Sequence, residues 1–183
     1  MIRSLSWLVL AALTLLLSAC GFQLRGLGAN MKPLPFASLY LDTGKSGIAG
    51  DLQLLLARDN RLTLTKSPKD AAAVLSVLYE NQKKEVLTIN SGGRVNEYQL
   101  VYRIAVRTVI NGVPVEPDMS VIVRREMNYS DSAILGKEQE EALLWSDARR
   151  DAADQIVRRL AYLKRPAASE QPAAKPAHAI TQP

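Results

Sequence analysis

Thiol and imidazole are almost missing from this chain: its 183 residues hold one cysteine, Cys20, and one histidine, His178. A lone cysteine closes no internal disulfide, and one Cys with one His falls short of the three or four ligands a zinc centre takes. A disulfide scaffold and a His/Cys metal enzyme are therefore excluded. No histidine stands in the body of the chain to activate a serine, and the acids show no pairing pattern, so a nucleophilic triad has no raw material. Aromatic residues make up 5%, and no run of about twenty apolar residues offers a membrane-spanning helix. The length suits one domain with extensions and is too short for a multidomain enzyme. Lys and Arg exceed Asp and Glu by 23 to 18, an excess that suits anionic partners without requiring nucleic acid.

What is present begins with an address. Arg3 precedes an apolar run from Trp7 to Leu17, half the length of a membrane span and typical of a signal-peptide core. The run ends in Leu17-Ser18-Ala19-Cys20, which resembles the bacterial lipobox, with Cys20 as the residue that receives S-diacylglycerol and an N-acyl chain. Residues 1–19 then read as a lipoprotein signal peptide and Cys20 as the first mature residue. Acyl chains contribute about 0.8 kcal/mol per buried methylene, so a triacylated cysteine anchors the chain without spanning the bilayer. Gly21 follows, not the aspartate that resembles an inner-membrane retention signal, and the expected address is the periplasmic side of the outer membrane. At the other end, residues 166–183 contain four prolines and six alanines, a disordered tail by composition that also holds His178.

Between these ends lies the folded body, expected over 20–165. Phe36–Leu41 reads as a first strand, closed by the turn-forming Asp42-Thr43-Gly44. Ile48, Leu52, Leu55 and Leu56 form a short helical stripe, and Leu62–Thr65 alternates briefly as a strand. Two long β runs, about 72–90 and 95–110, flank Ser91-Gly92-Gly93-Arg94, a hairpin signature. In the second run Tyr98, Leu100, Tyr102, Ile104 and Val106 share one face, while Glu97, Gln99, Arg103 and Arg107 share the other. After Asn111-Gly112 and the prolines at 114 and 117, Met119, Val121, Val123, Met127 and Tyr129 continue the alternation, broken by Arg125. From Lys137 to Leu163 an amphipathic helix carries Trp145, Ala148, Ala152, Ile156, Leu160 and Leu163 on one stripe. Its acids mostly precede its bases, the order the helix dipole favours. The expected class is α+β, with two helices on one face of a mixed sheet.

Gly44-Lys45-Ser46 between a strand and a helix suggests a phosphate loop, but position 39, where that loop needs glycine, is Leu39. A plain strand-to-helix turn with Ser46 as N-cap is the expected reading. Asn128-Tyr129-Ser130 matches a glycosylation acceptor that a bacterial lipoprotein has no use for. From Lys83 to Arg125 there are seven bases against four acids, which fits either a solvated sheet face or an anion site, since guanidinium groups engage phosphate bidentately.

The stretch Cys20-Gly21-Phe22-Gln23-Leu24-Arg25-Gly26 resembles the mature start of the LptE lipoprotein family. The glycine-bearing hairpin leading into Glu97-Tyr98-Gln99, Lys137 at an acidic helix start, and Ala152-Ala153-Asp154-Gln155-Ile156-Val157-Arg158-Arg159-Leu160 are similar to that family in order and spacing. The resemblance covers Cys20 to about Leu163. It implies two helices packed on one face of a mostly four-stranded mixed sheet, in a non-enzymatic protein without cofactor, seated as a plug in the outer-membrane β-barrel LptD, helping that barrel assemble and binding lipopolysaccharide. The alternative is a free-standing periplasmic lipoprotein that binds an anionic envelope ligand. Arg94 at the hairpin tip and Lys137 just ahead of the last helix are the residues expected to meet lipopolysaccharide.

Overall fold

A computed structural model describes residues 32–130 and 134–164. Cys20, the signal peptide expected over residues 1–19 and the tail expected over 166–183 lie outside the described residues. Strand β1 (Ser38–Asp42) leads through helix α1 (Ala49–Leu56) to the two-residue strand β2 (Thr63–Leu64). A short 3-10 turn opens at Pro68, capped by the Ser67 side chain on the Lys69 N–H. Strands β3 (Ala73–Ile89), β4 (Val95–Ile110) and β5 (Val113–Asn128) then run as an antiparallel meander, and helix α2 (Ile134–Leu160) follows.

The sheet order is β2-β1-β3-β4-β5, with β1 parallel to both β2 and β3. The sheet thus has five strands, one more than the expected architecture. Thr63 and Leu64, inside the brief strand read over Leu62–Thr65, supply the fifth by pairing with Ser38 and Leu39, because the short crossover through α1 returns the chain alongside β1. The class, α+β with two helices on a mixed sheet, stands.

Both long antiparallel connections follow from turn chemistry. Asn111 and Gly112 both take positive φ, 51° and 80°, the conformation of a two-residue turn whose twist matches that of its strands. The chain therefore reverses immediately, and β5 starts at Val113, ahead of the two prolines. Pro114 and Pro117 are accommodated because β5 is an edge strand, where a missing N–H interrupts no ladder on the outer side.

One side of the sheet packs on both helices. Leu39, Leu75, Tyr102, Ile104, Val121 and Val123 from the strands meet Ile48, Leu52 and Leu56 of the α1 region and Ala148, Ala152, Ile156 and Leu160 of α2. The alanines of α2 bring only methyl groups into this core, small enough to let a helix approach its neighbours closely. As the period-two pattern requires, Leu100, Tyr102, Ile104 and Val106 are buried while Arg103 and Arg107 are exposed. Val101 is buried as well, on the other face, between Lys83 and Arg124 in the register.

Polar side chains fasten the layers together. Arg125, the break in the apolar alternation of β5, faces the helix and bonds Asp147 at 2.8 Å and Asp151 at 3.0 Å. Glu80 of β3 accepts from the Tyr102 hydroxyl at 2.7 Å, from the Gly47 N–H at 2.8 Å and from the Ser46 hydroxyl. Ser46 therefore does not cap α1: the N-cap position is Ile48, without a side-chain bond. Burial, then the bond to Glu80, push the Tyr102 phenol far above the ordinary tyrosine range. One buried polar atom among the described residues, Thr108 Oγ1, has no hydrogen-bond partner.

Candidate functional site

Arg94 and Lys137 are 43 positions apart, and the meander brings both to the same end of the molecule. Residues Glu97 and Asn128 are register partners, and the Tyr129 N–H bonds the Asn96 carbonyl at 2.8 Å. The chain leaving β5 thus stands beside the start of β4 when it enters α2. Lys84 of β3 bonds Glu141 of α2 at 2.6 Å, which fixes the helix over that row of the sheet. Lys137 lies one helical turn nearer the hairpin, about 6 Å along the helix. Arg94 lies six residues beyond Leu100, the register partner of Lys84, or about 20 Å along the strand. The hairpin therefore projects past the helix start, and the two cations share an end without forming one pocket.

The hairpin tip is pinned. Asn90 accepts through its side chain from the N–H groups of Gly92 and Arg94, both at 3.0 Å. Its backbone exchanges bonds with Arg94 and Gly93 at 2.8 and 3.0 Å. Gly93, at φ 76°, takes a left-handed conformation that costs glycine little. Arg94 leaves this knot on the surface.

Lys137 is placed differently from the sequence expectation. The helix begins at Ile134, so Lys137 lies inside its first turn rather than ahead of it. Glu140, one turn on, answers the charge: Lys137 Nζ is 2.6 Å from Glu140 Oε2 and the lysine side chain keeps 21% of its surface. This pair offsets the unfavourable position of a cation near the positive end of the helix dipole.

Behind them stands a cluster that the sequence reading missed. The Lys84 ammonium lies 4.3 Å from the centre of the Tyr98 ring, and Tyr98 meets Tyr129 edge to face at 5.2 Å. Trp145 Nε1 donates to Glu141 at 3.2 Å. Burial raises the Glu141 carboxyl, but the bonds from Lys84 and Trp145 outweigh it and the net shift is downward. The i, i+4 spacing of Glu141 and Trp145 was the available signal. The remaining partners are far apart in sequence.

The helix-free side of the sheet carries the other charges. Arg107 engages Asp118 through two bonds, 2.9 and 2.7 Å, and Lys83 pairs with Glu85 at 2.7 Å. Among the described residues no three His, Cys, Asp or Glu side chains gather as a metal site, and no helix is long and apolar enough to cross a membrane.

A family model described as LptE, lipopolysaccharide-assembly, matches residues 36–160. The LPS-assembly lipoprotein LptE of Pectobacterium atrosepticum is 31% identical over 157 residues, 84% of this chain and 83% of that one. Its namesake in Yersinia enterocolitica is 30% identical over 158 residues, 84% and 73% of the two chains. The solution NMR structure of an uncharacterized lipoprotein B from Nitrosomonas europaea superposes with a TM-score of 0.64 at 27% identity, covering 77% of this chain and 90% of that one. The crystal structure of the rare lipoprotein B from Shewanella oneidensis, at 23% identity and a TM-score of 0.60, covers 68% and 94% and shares the fold.

Proposed function

The chain belongs to the LptE lipopolysaccharide-assembly family, and from that premise we propose that it is a non-enzymatic lipoprotein which partners the LptD β-barrel and binds lipopolysaccharide on its way to the outer leaflet. One observation carries the reading: the family match, residues 36–160, runs from the strand that opens the sheet to the last residue of α2. The whole packed unit, rather than a motif within it, is what the family has in common. Acylation at Cys20 would hold that unit at the periplasmic face of the outer membrane.

Lipopolysaccharide presents clustered phosphate and acid groups, and guanidinium and ammonium side chains are their natural counterparts. Arg94, on a pinned tip, and Lys137 stand at one end of the unit. A ligand phosphate competing with the Glu140 carboxylate would engage the Lys137 ammonium. The basic tip and the helix start are the surface assigned to lipopolysaccharide, while the anchor and the barrel set where it works.

Co-purification from detergent-solubilised membranes tests the partnership. A tagged full chain is expected to leave the membrane in a stoichiometric complex with one large outer-membrane protein. A monomeric extract without such a companion overturns the barrel partnership and favours a free-standing binder. Mass spectrometry of the mature N-terminus tests the anchor: a lipidated Cys20 is expected, and an unmodified cysteine behind a different cleavage site would refute it. For the ligand, the double variant R94D/K137D is expected to bind purified lipopolysaccharide more weakly with unfolding unchanged within about 0.5 kcal/mol per site.

A further inference from the structure

On the helix-free side of the sheet, four basic side chains stand on neighbouring positions of the three long strands, and they do not all have partners. Arg107 is neutralised by Asp118, and Lys83 by Glu85. Arg103 and Arg124, both exposed, form no side-chain hydrogen bond or ion pair among the described residues. Their field still reaches Glu85, whose carboxyl is held below the ordinary range first by Lys83 and further by Arg103 and Arg124.

The register sets the spacing of these two arginines. Arg103 of β4 is opposite Ile122, and Arg124 of β5 is opposite Val101, so the two are diagonal neighbours on one face, with Cβ atoms about 7 Å apart. Guanidinium groups at that spacing can close on one phosphate from two sides, each offering a planar fork of donors. Two like charges held side by side on the ladder, with the nearby Glu85 carboxylate bonded to Lys83 instead, also disfavour each other until an anion arrives. Val101, buried between them and Lys83, gives the pair an apolar floor.

We propose that Arg103 and Arg124 form a phosphate-binding pair on the helix-free sheet face, and that its ligand is a phosphate group of lipopolysaccharide. This site is separate from the hairpin tip and the helix start, and it rests on the reading that the protein binds lipopolysaccharide at all. The ligand is recognised by charge and by fork geometry, so removing its phosphates must matter at this face.

The test measures binding of the full chain in detergent to purified lipopolysaccharide, intact or phosphatase-treated, for the natural protein, R103Q/R124Q and R94D/K137D. Phosphatase treatment is expected to weaken the natural protein's binding about tenfold, the scale of a lost charge-assisted pair. R103Q/R124Q is expected to bind intact ligand about tenfold more weakly and to lose little more on treatment. If the natural protein binds neither ligand, the lipopolysaccharide reading falls and this inference with it. If R103Q/R124Q matches the natural protein in both arms while R94D/K137D loses binding, the inference alone is overturned. An equal loss of R103Q/R124Q on both ligands overturns it too, since phosphate would then not be what the pair reads. Should the glutamine pair fail to fold, R103K/R124K decides: charge without the fork is expected to give intermediate binding with weaker phosphate dependence, and binding equal to the natural protein refutes the pair.

Discussion

The two halves of β3 share a strand and a neighbour and have opposite surroundings. Ala73 and Leu75 lie between β1 and β4 under the helices and keep 1% and 0% of their surface, whereas Val86, Leu87 and Ile89 keep 54%, 41% and 65%. The change comes at the register shift between Val77 and Tyr79, just after β1 has made its last pair, Asp42 with Ser76. Past that point β3 is an edge whose one strand partner among the described residues is β4, and its contacts to the helical layer are the polar ones of Glu80 and Lys84. Since β-branched and large apolar residues occur in both halves, strand propensity does not separate them; coverage does. One half stabilises the fold, and the other is surface available to a partner.

Large-to-small substitutions at matched residues break this comparison most directly. Leu75→Ala is expected to cost about 3 kcal/mol in urea unfolding, and Leu87→Ala less than about 1 kcal/mol. Equal losses would mean that the far half is packed as tightly as the near one. At the boundary, Glu80→Ala removes the acceptor of three donors at once and strands the buried Tyr102 hydroxyl, for an expected cost of about 2 kcal/mol. Tyr102→Phe, which leaves Glu80 two of its donors, should cost about half as much, and a larger loss for the phenylalanine variant would contradict this account of the network.

Acid sharpens the comparison on the helix-covered face. Asp151 is lowered from its ordinary 3.8: burial raises it, and the bonds from Gln155 and Arg125 prevail. Glu141 is lowered from 4.5 in the same manner. Depressed carboxyl values mean that the folded state binds fewer protons than the unfolded one. Their stabilisation is therefore complete above those ordinary values and is lost as pH falls through the folded ones. Denaturant midpoints measured from pH 6 down to pH 3 should decline, and the decline should be shallower in Asp151→Asn; an unchanged slope would remove Asp151 from the explanation. The smallest effect has the opposite sign. Thr108→Val replaces an unpartnered buried hydroxyl by a methyl group and is expected to raise stability by up to about 1 kcal/mol, read as a higher midpoint at unchanged slope.

Where periodicity is strong, the sequence anticipates the fold. The β3–β4 hairpin, the alternating faces of β4 and the stripe of α2 could be read directly, because one side chain in two or in three to four must meet the core. Features that depend on a distant partner could not. Arg125 reads as a fault in an apolar strand until Asp147 and Asp151 are placed above it. Ser46 reads as a cap until Glu80, 34 residues later, takes its hydroxyl. The start of β5 was hidden by Pro114 and Pro117, whose tolerance depends on β5 being an edge. Arg94 was legible as an exposed cation on local grounds, whereas the part-burial of Lys137 beside Glu140 was not. Their common end was not, since it follows from the return of β5 beside β4, and neither was the answer of Glu140 to Lys137, which needed the true first residue of the helix.

The order of the strands also sets an order in time. Each strand of the β3–β4–β5 meander pairs with its neighbour in sequence across a turn of two to five residues, so little chain entropy is lost in closing those loops. The β1 strand instead pairs with a strand more than 30 residues away, across a much longer loop. Contacts of short sequence separation form fastest, and the meander is accordingly expected to gain amide protection first during refolding. The segment from Phe36 to Thr65 would then dock onto it, with Tyr40 and Asp42, the register partners of Val74 and Ser76, among the last amides to become protected in pulsed hydrogen exchange. Early protection at those two would show that the parallel edge, and not the meander, nucleates the chain.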